Sequence, residues 1–134
     1  MQLFITVPGE PIAKGRPRMT RMGIAYTPKK TVNYETQIQE RFASTYPDHK
    51  PVDGQLKLLV WAYFTIPASW SKKKQQAALD GSVRPTKKPD IDNIIKTMDA
   101  LNGIAWRDDS QVVHVTASKF YSDRPRLEIQ IQEA

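Results

Sequence analysis

The sequence predicts an α+β fold: a two-layer sandwich in which a mixed β-sheet packs against helices. Three observations predict it. Strand-like runs stand at both ends: "QLFITV", rich in β-formers, and "RLEIQIQ", which alternates apolar and polar residues with period two. Segments with helical periodicity lie between them, and strands and helices mix without regular βαβ crossovers. A chain of 134 residues, 40% hydrophobic, fits one compact domain spanning residues 1–134.

The elements follow in order. "QLFITV" is a first strand, rich in β-formers. Residues 8–30 hold four prolines, three glycines and six basic residues, which predicts a long basic loop with a short hairpin near Met22–Gly23. Loops of this length in a compact domain are usually functional or mobile. In "TVNYETQIQERFASTY", Tyr34, Ile38 and Phe42 form one stripe of a helix. "QLKLLVWAYFTIP" is a strand with Leu56, Leu58, Val60, Ala62, Phe64 and Ile66 on one face and Leu59, Trp61 and Tyr63 on the other. Two apolar faces make it a central strand, or one whose second face meets another subunit. "SWSKKKQQAALDG" is a short helix with Ser71 as N-cap and Gly81 past its end. Residues 82–89 form a basic loop, and a helix follows over 90–102. "SQVVHVTASKFY" is a strand, and "RLEIQIQ" closes the chain with Leu127, Ile129 and Ile131 facing inward.

Composition excludes several function classes. Cysteine is absent, so disulfides, thiolate metal sites and cysteine nucleophiles are excluded together. No apolar run approaches the roughly 18 residues of a membrane span. "MQLFITVPGE" lacks the basic flank and cleavage site of a signal peptide, so the expected location is the cytoplasm. No Gly-rich phosphate loop appears. His49 and His114 lack the serine or cysteine setting of a catalytic triad and are read as structural. The net charge of +6 points to a polyanionic partner or to a merely basic surface.

The chemistry concentrates in "KKPDIDNIIKTMDALNG", residues 87–103. Ile91, Ile94, Ile95, Met98 and Leu101 form one apolar stripe, while Asp92, Lys96 and Asp99 fall on the opposite side. Pro89 disfavours helical geometry at Lys88, which makes Asp90 the N-cap. Two accounts of the acids stand at this point. Asp90 can cap the helix, worth about 1 kcal/mol over alanine, with Asp92 favouring the dipole and pairing with Lys96. Alternatively, the acids hold a metal ion against a phosphate. "WRDDSQVV" then adds Asp108 and Asp109. Several carboxylates from separate short segments suit Mg²⁺, which takes oxygen ligands and keeps waters and phosphate oxygens. Such an ion activates water for phosphodiester hydrolysis, and a nearby lysine neutralises transition-state charge. Around these acids lie Lys14, Arg16, Arg18 and Arg21 in the early loop, Lys72, Lys73 and Lys74, and Arg84, Lys87 and Lys88. Each cluster alone is a solvated surface; together they suggest a track for a phosphate backbone.

These motifs resemble the RusA-type Holliday junction resolvases. The resemblance runs from about Ser71 to Lys119 and rests on "KKPDIDNIIKTMDALNG", "WRDDSQVV" and Lys119 in the strand, which joins the DNA-binding set. It implies a homodimeric, Mg²⁺-dependent endodeoxyribonuclease that acts on four-way junctions in DNA recombination and repair by paired symmetric nicks. Such proteins are frequently prophage-encoded. The family's essential carboxylates fall on Asp90, Asp92 and Asp109, as catalytic and metal-binding residues, and its essential lysine on Lys96. The first 70 residues match only in layout. Two other readings compete with it. A restriction-endonuclease-like fold would need an acid-x-Lys pair, but Ala117 precedes Lys119 at that spacing. A non-catalytic junction- or DNA-binding protein would use the acids only to cap and pair.

Overall fold

The computed structural model describes all 134 residues. Strands β1 (Gln2–Pro8), β4 (Leu56–Thr65), β5 (Val112–Ser122) and β6 (Arg126–Glu133) form one sheet in the order β1-β6-β4-β5. β6 is antiparallel to both β1 and β4, and β5 runs parallel to β4, so the sheet is mixed as expected. β4 is central in the sheet; its Leu56, Leu58, Val60, Ala62 and Phe64 face is buried, and its Leu59, Trp61 and Tyr63 face is half-buried. Its parallel connection to β5 carries helices α2 (Lys72–Leu79) and α3 (Ile91–Ile95). Helix α1 (Lys29–Thr45) follows a two-stranded hairpin of β2 (Arg18–Met19) and β3 (Ala25–Tyr26), close to the turn expected at Met22–Gly23.

The alternation of β1, β4 and β6 places Ile5, Val7, Leu58, Val60, Phe64, Leu127, Ile129 and Ile131 in the core. Tyr34, Ile38 and Phe42 of α1 complete it, so the predicted stripe is the buried one. Each such side chain contributes about 1.5–3 kcal/mol on burial. The other sheet face is more open. There Phe120 stacks on Tyr63 at 5.6 Å between ring centroids, and the Arg126 guanidinium sits 3.8 Å from the Tyr63 ring centre. His49 hydrogen-bonds the Ala105 carbonyl at 3.0 Å and packs edge-on against Phe42, which is a structural role. No helix is long and apolar enough to cross a membrane.

One element differs from its sequence reading. The helix expected over 90–102 is α-helical only over Ile91–Ile95 and tightens to a 3₁₀ helix over Lys96–Leu101. Thr97 is buried, and its hydroxyl donates to the Ile94 carbonyl at 2.6 Å, competing for an acceptor of the regular helix. Ile94, Met98 and Leu101 remain buried, but Ile91 is exposed because the first turn lies at the domain surface.

Candidate active site

The segment 84–90 presents the first carboxylate. Asp90 is the N-cap of α3 in extended geometry (φ −68°, ψ 148°), and its backbone carbonyl accepts from Asn93 and Ile94 at 3.1 and 3.2 Å. Its carboxylate makes no capping hydrogen bond. Asp92, in the first turn, is exposed and forms no ion pair with Lys96. The Lys96 ammonium instead lies 3.5 Å from the Asn93 side-chain oxygen, at the limit of a hydrogen bond. The capping-and-pairing account of these residues therefore lacks its bonds. Asp90 caps with its backbone alone, which any residue could supply.

Lys119 secures this segment from below. Its ammonium donates to the backbone carbonyls of Lys87 and Pro89 at 2.6 and 2.9 Å, on either side of the cis Lys88–Pro89 peptide. Burial holds its pKa below the usual lysine value, with the Asp90 charge acting in the opposite sense. Arg84 donates to the Lys119 carbonyl at 2.8 Å and lies over Phe120. The sequence places Lys119 among the DNA contacts. Its donors are used inside the domain, on the loop that leads to Asp90.

The second carboxylate site lies after the 3₁₀ helix. Trp106 is fully buried, and its indole N–H donates to Asp109 at 2.8 Å. The neighbouring Asp108 does something different. It caps a short turn over Asp109–Gln111 by accepting from Ser110, while Gln111 bonds back to its N–H. Those bonds hold the Asp108 carboxyl below its ordinary range. Of the adjacent pair, Asp108 is thus committed to the turn and Asp109 is turned toward other acids. Burial pushes the Asp109 carboxyl up; the Trp106 bond opposes this, and the Asp99 charge adds to it.

Asp99, Lys14 and Glu35 complete this cluster. The Lys14 ammonium lies 2.9 Å from Asp99 and 3.8 Å from Glu35, and the Lys14 N–H donates to the Asn93 carbonyl at 3.0 Å. Burial alone would lower the Lys14 pKa, but the Asp99 bond and the charges of Glu35, Asp99 and Asp109 outweigh it and raise it. Lys14 thus stitches the early loop to α3 and to the acids. Glu35 carried no signal in the sequence. Asp99 was visible as part of the polar face of its helix, seven residues after Asp92, and its nearness to Asp109 depends on tertiary packing.

A cleft of about 1140 Å³ opens beside Asp90, lined in part by Arg16, Arg18, Lys30, Lys87, Lys88 and Asn93. A second recess of about 410 Å³, which includes Lys119 and Ser118, meets Asp90 from the β5 side. Of the cations expected to contact DNA, Arg16, Arg18, Lys87 and Lys88 line the main cleft. Lys14 and Lys119 are bonded internally. Lys72, Lys73 and Lys74 are exposed on α2 outside the cleft lining, with Lys74 over the Trp70 ring at 4.0 Å.

No group of three or more acidic or histidine side chains closes into a ready-made metal cage. Asp90, Asp92 and Asp109 accordingly do not form a preassembled three-carboxylate cluster. The donor chemistry still fits Mg²⁺, which commonly takes only one or two protein carboxylates and completes its octahedron with water and phosphate oxygens. Asp90 and Asp92 offer such carboxylates, free of protein partners.

The domain so described is a small α+β unit with unpartnered carboxylates at a helix start and a cationic cleft beside them. The family profile of "Endodeoxyribonuclease RusA" matches residues 8–132, and the chain belongs to this family. The RusA domain indicates an endodeoxyribonuclease, and the family implies Holliday junction resolvase activity on branched DNA, generally dependent on a divalent metal. The chain is also 43% identical over 134 residues to "Uncharacterized protein YqaN" of Bacillus subtilis (strain 168), covering 96% of this chain and 94% of that protein.

Proposed function

We propose that this protein resolves four-way DNA junctions as a Mg²⁺-dependent endonuclease, nicking two strands symmetrically from the two subunits of a homodimer. One observation carries the reading: the Asp90 carboxylate stands at an N-cap without a capping bond and borders a cleft lined by cations. Asp90, Asp92 and Asp109 are the carboxylates that would hold Mg²⁺: Asp90 and Asp92 would bind it first, and Asp109, which is not preassembled with them, would close onto it as the phosphate docks. The ion, when bound, supplies Lewis-acid charge and a water of lowered pKa. Lys96, exposed and only weakly tied to Asn93, is free to reach the scissile phosphate and offset its added negative charge. Arg16, Arg18, Lys87 and Lys88 bind the flanking phosphates along the cleft. Lys119 positions the Asp90 segment, and Trp106 orients Asp109. The deciding experiment offers matched four-way, Y-shaped and linear duplex DNA with Mg²⁺ and with chelator. Paired symmetric nicks in the four-way species alone support the reading. Tight binding without nicking at any Mg²⁺ concentration would leave a non-catalytic junction-binding protein.

Two expectations separate phosphate contacts from internal lysines. Arg16→Gln reduces the salt dependence of junction affinity, lowering the log–log slope by about one. Lys14→Gln leaves that slope unchanged, because its charge is already spent on Asp99 and Glu35. Affinity titrations at several salt concentrations in chelator measure both, and an equal loss of slope would return Lys14 to the DNA surface. Lys119→Met removes both bonds to the 87–89 carbonyls. Nicking should fall about 10–100-fold, the usual cost of removing a residue that orients a metal ligand. Binding in chelator should hold; a parallel loss of binding would assign Lys119 to DNA contact instead.

A further inference from the structure

Of the β2–β3 hairpin, the site above uses only Arg18. Every residue from 16 to 27 is exposed. Four of them are large and apolar: Met22 is 87% exposed, Met19 66%, Ile24 61% and Tyr26 47%. Exposed apolar side chains crowded onto one projecting turn mark a contact surface. The turn itself is well built. Thr20 N–H donates to the Ile24 carbonyl at 2.9 Å, Gly23 N–H to the Thr20 carbonyl at 3.0 Å, and Ile24 N–H to the Thr20 hydroxyl at 3.2 Å. Gly23 supplies the positive φ of 78° that this closure requires. The base is pinned as well. Gly15 N–H donates to the Thr31 hydroxyl at 2.8 Å, and a Cβ at Gly15 would lie 3.0 Å from that oxygen and 3.1 Å from Pro28. The two ends of the excursion are therefore clamped together, and Lys14 fastens the clamp to α3 and Asp99.

Charge selects the partner. Between Glu10 and Glu35 there is no acidic residue, and the six cations Lys14, Arg16, Arg18, Arg21, Lys29 and Lys30 match the whole formal excess of +6. Arg16 and Arg18 of the stem line the same cleft as Asp90. Apolar side chains framed by arginines, on a turn whose stem lines a phosphate-binding cleft, have the chemistry of a wedge between base steps. Methionine and isoleucine serve in that role where proteins unstack and kink DNA. Four-way junctions offer a step where stacking is already interrupted, at the branch point, so insertion there costs less than within a continuous duplex. We infer that the 18–26 hairpin inserts Met19, Met22 and Ile24 at the branch point and opens the adjacent base pairs, while Arg16, Arg18 and Arg21 hold the surrounding phosphates. This rests on the junction-resolving function proposed above and gives the early loop its part in it.

The test uses the full-length protein in chelator and a four-way junction carrying 2-aminopurine beside the branch point. Binding of the wild-type protein should raise the fluorescence several-fold as the base unstacks. The triple variant Met19→Gln, Met22→Gln, Ile24→Gln keeps the arginines and alters no buried residue. It should bind within a few-fold of wild type and lose most of the fluorescence gain. A gain retained by the variant, or no gain with bound wild-type protein, overturns the wedge while junction binding and nicking still uphold the function. Failure of wild-type protein to bind or nick any junction overturns the function and the wedge with it. Sedimentation of free wild type and variant covers the other occupant. A dimer that dissociates on triple substitution would make the hairpin a subunit contact and refute the inference.

Discussion

Asp92→Asn lowers Mg²⁺-dependent nicking of a four-way junction by about 10²-fold or more, the scale set by loss of one fixed electrostatic partner of the transition state. Junction binding in chelator survives, because Asp92 adds negative charge to a surface that must meet phosphates. The fold survives too: the carboxylate is exposed and has no hydrogen bond or ion pair to lose. Asp90→Asn is the sharper companion. Asparagine and aspartate are equivalent N-caps, so a residue kept for capping would tolerate the change in every assay. A residue kept to bind a cation would not. Single-turnover cleavage at saturating protein, beside gel-shift affinity in chelator and a thermal melt, separates these outcomes. Normal cleavage by either variant would remove that carboxylate from the active site. Cleavage and melting temperature falling together would return Asp90 to a structural role.

Much of this architecture is legible in local pattern. β6 alternates cleanly because one face is core and the other open, so "RLEIQIQ" announces both its structure and its register. Tyr34, Ile38 and Phe42 announce α1 in the same way. The long apolar run of β4 suits the central place it takes in the sheet, although only one of its faces is buried. The helix after Asp90 was legible in position and buried stripe but not in type. A 3.6-residue pattern over so short a span tolerates a 3₁₀ continuation, and the buried Thr97 hydroxyl that favours one looks like any other threonine in sequence.

The site divides along the same line. Asp90 as N-cap is a local consequence of Pro89, and it was legible. That its carboxylate would lack a capping bond, and that Asp92 would leave Lys96 unpaired, depends on side-chain geometry that spacing does not encode. Choosing Asp109 over Asp108 came from family resemblance. The physical difference between them is that one caps a turn through Ser110 while the other accepts from Trp106. Lys14 and Lys119 show the limit of reading charge from sequence. Sequence alone reads both as phosphate contacts; in the structure they also bond within the domain, to Asp99 and Glu35 for one and to the 87 and 89 carbonyls for the other, partners at least 20 residues away in the chain.

On the proposed function, Trp106 serves both the core and the orientation of Asp109, and two substitutions should take these apart. The indole is 1% exposed, and the backbone of Trp106 bridges both Val52 and Asn102. The Trp106 carbonyl also accepts from Gly103 at 2.7 Å, closing the turn that carries the chain from the 3₁₀ helix to Asp109. Trp106→Ala should therefore cost about 3–5 kcal/mol. That is a large share of the roughly 5–15 kcal/mol that keeps a domain folded, so denaturant unfolding should show a midpoint far below wild type or no cooperative transition. Trp106→Phe keeps most of the apolar volume and removes the N–H that Asp109 accepts at 2.8 Å. Its midpoint should fall much less, while nicking drops about 10-fold or more if Asp109 is the metal ligand proposed above, the usual cost of losing a bond that orients one. Raising Mg²⁺ should recover part of that loss, since a misdirected carboxylate binds the ion more weakly without losing its charge. A phenylalanine variant that cleaves at the wild-type rate at limiting Mg²⁺ would show that Trp106 serves the core alone and that Asp109 needs no orienting partner.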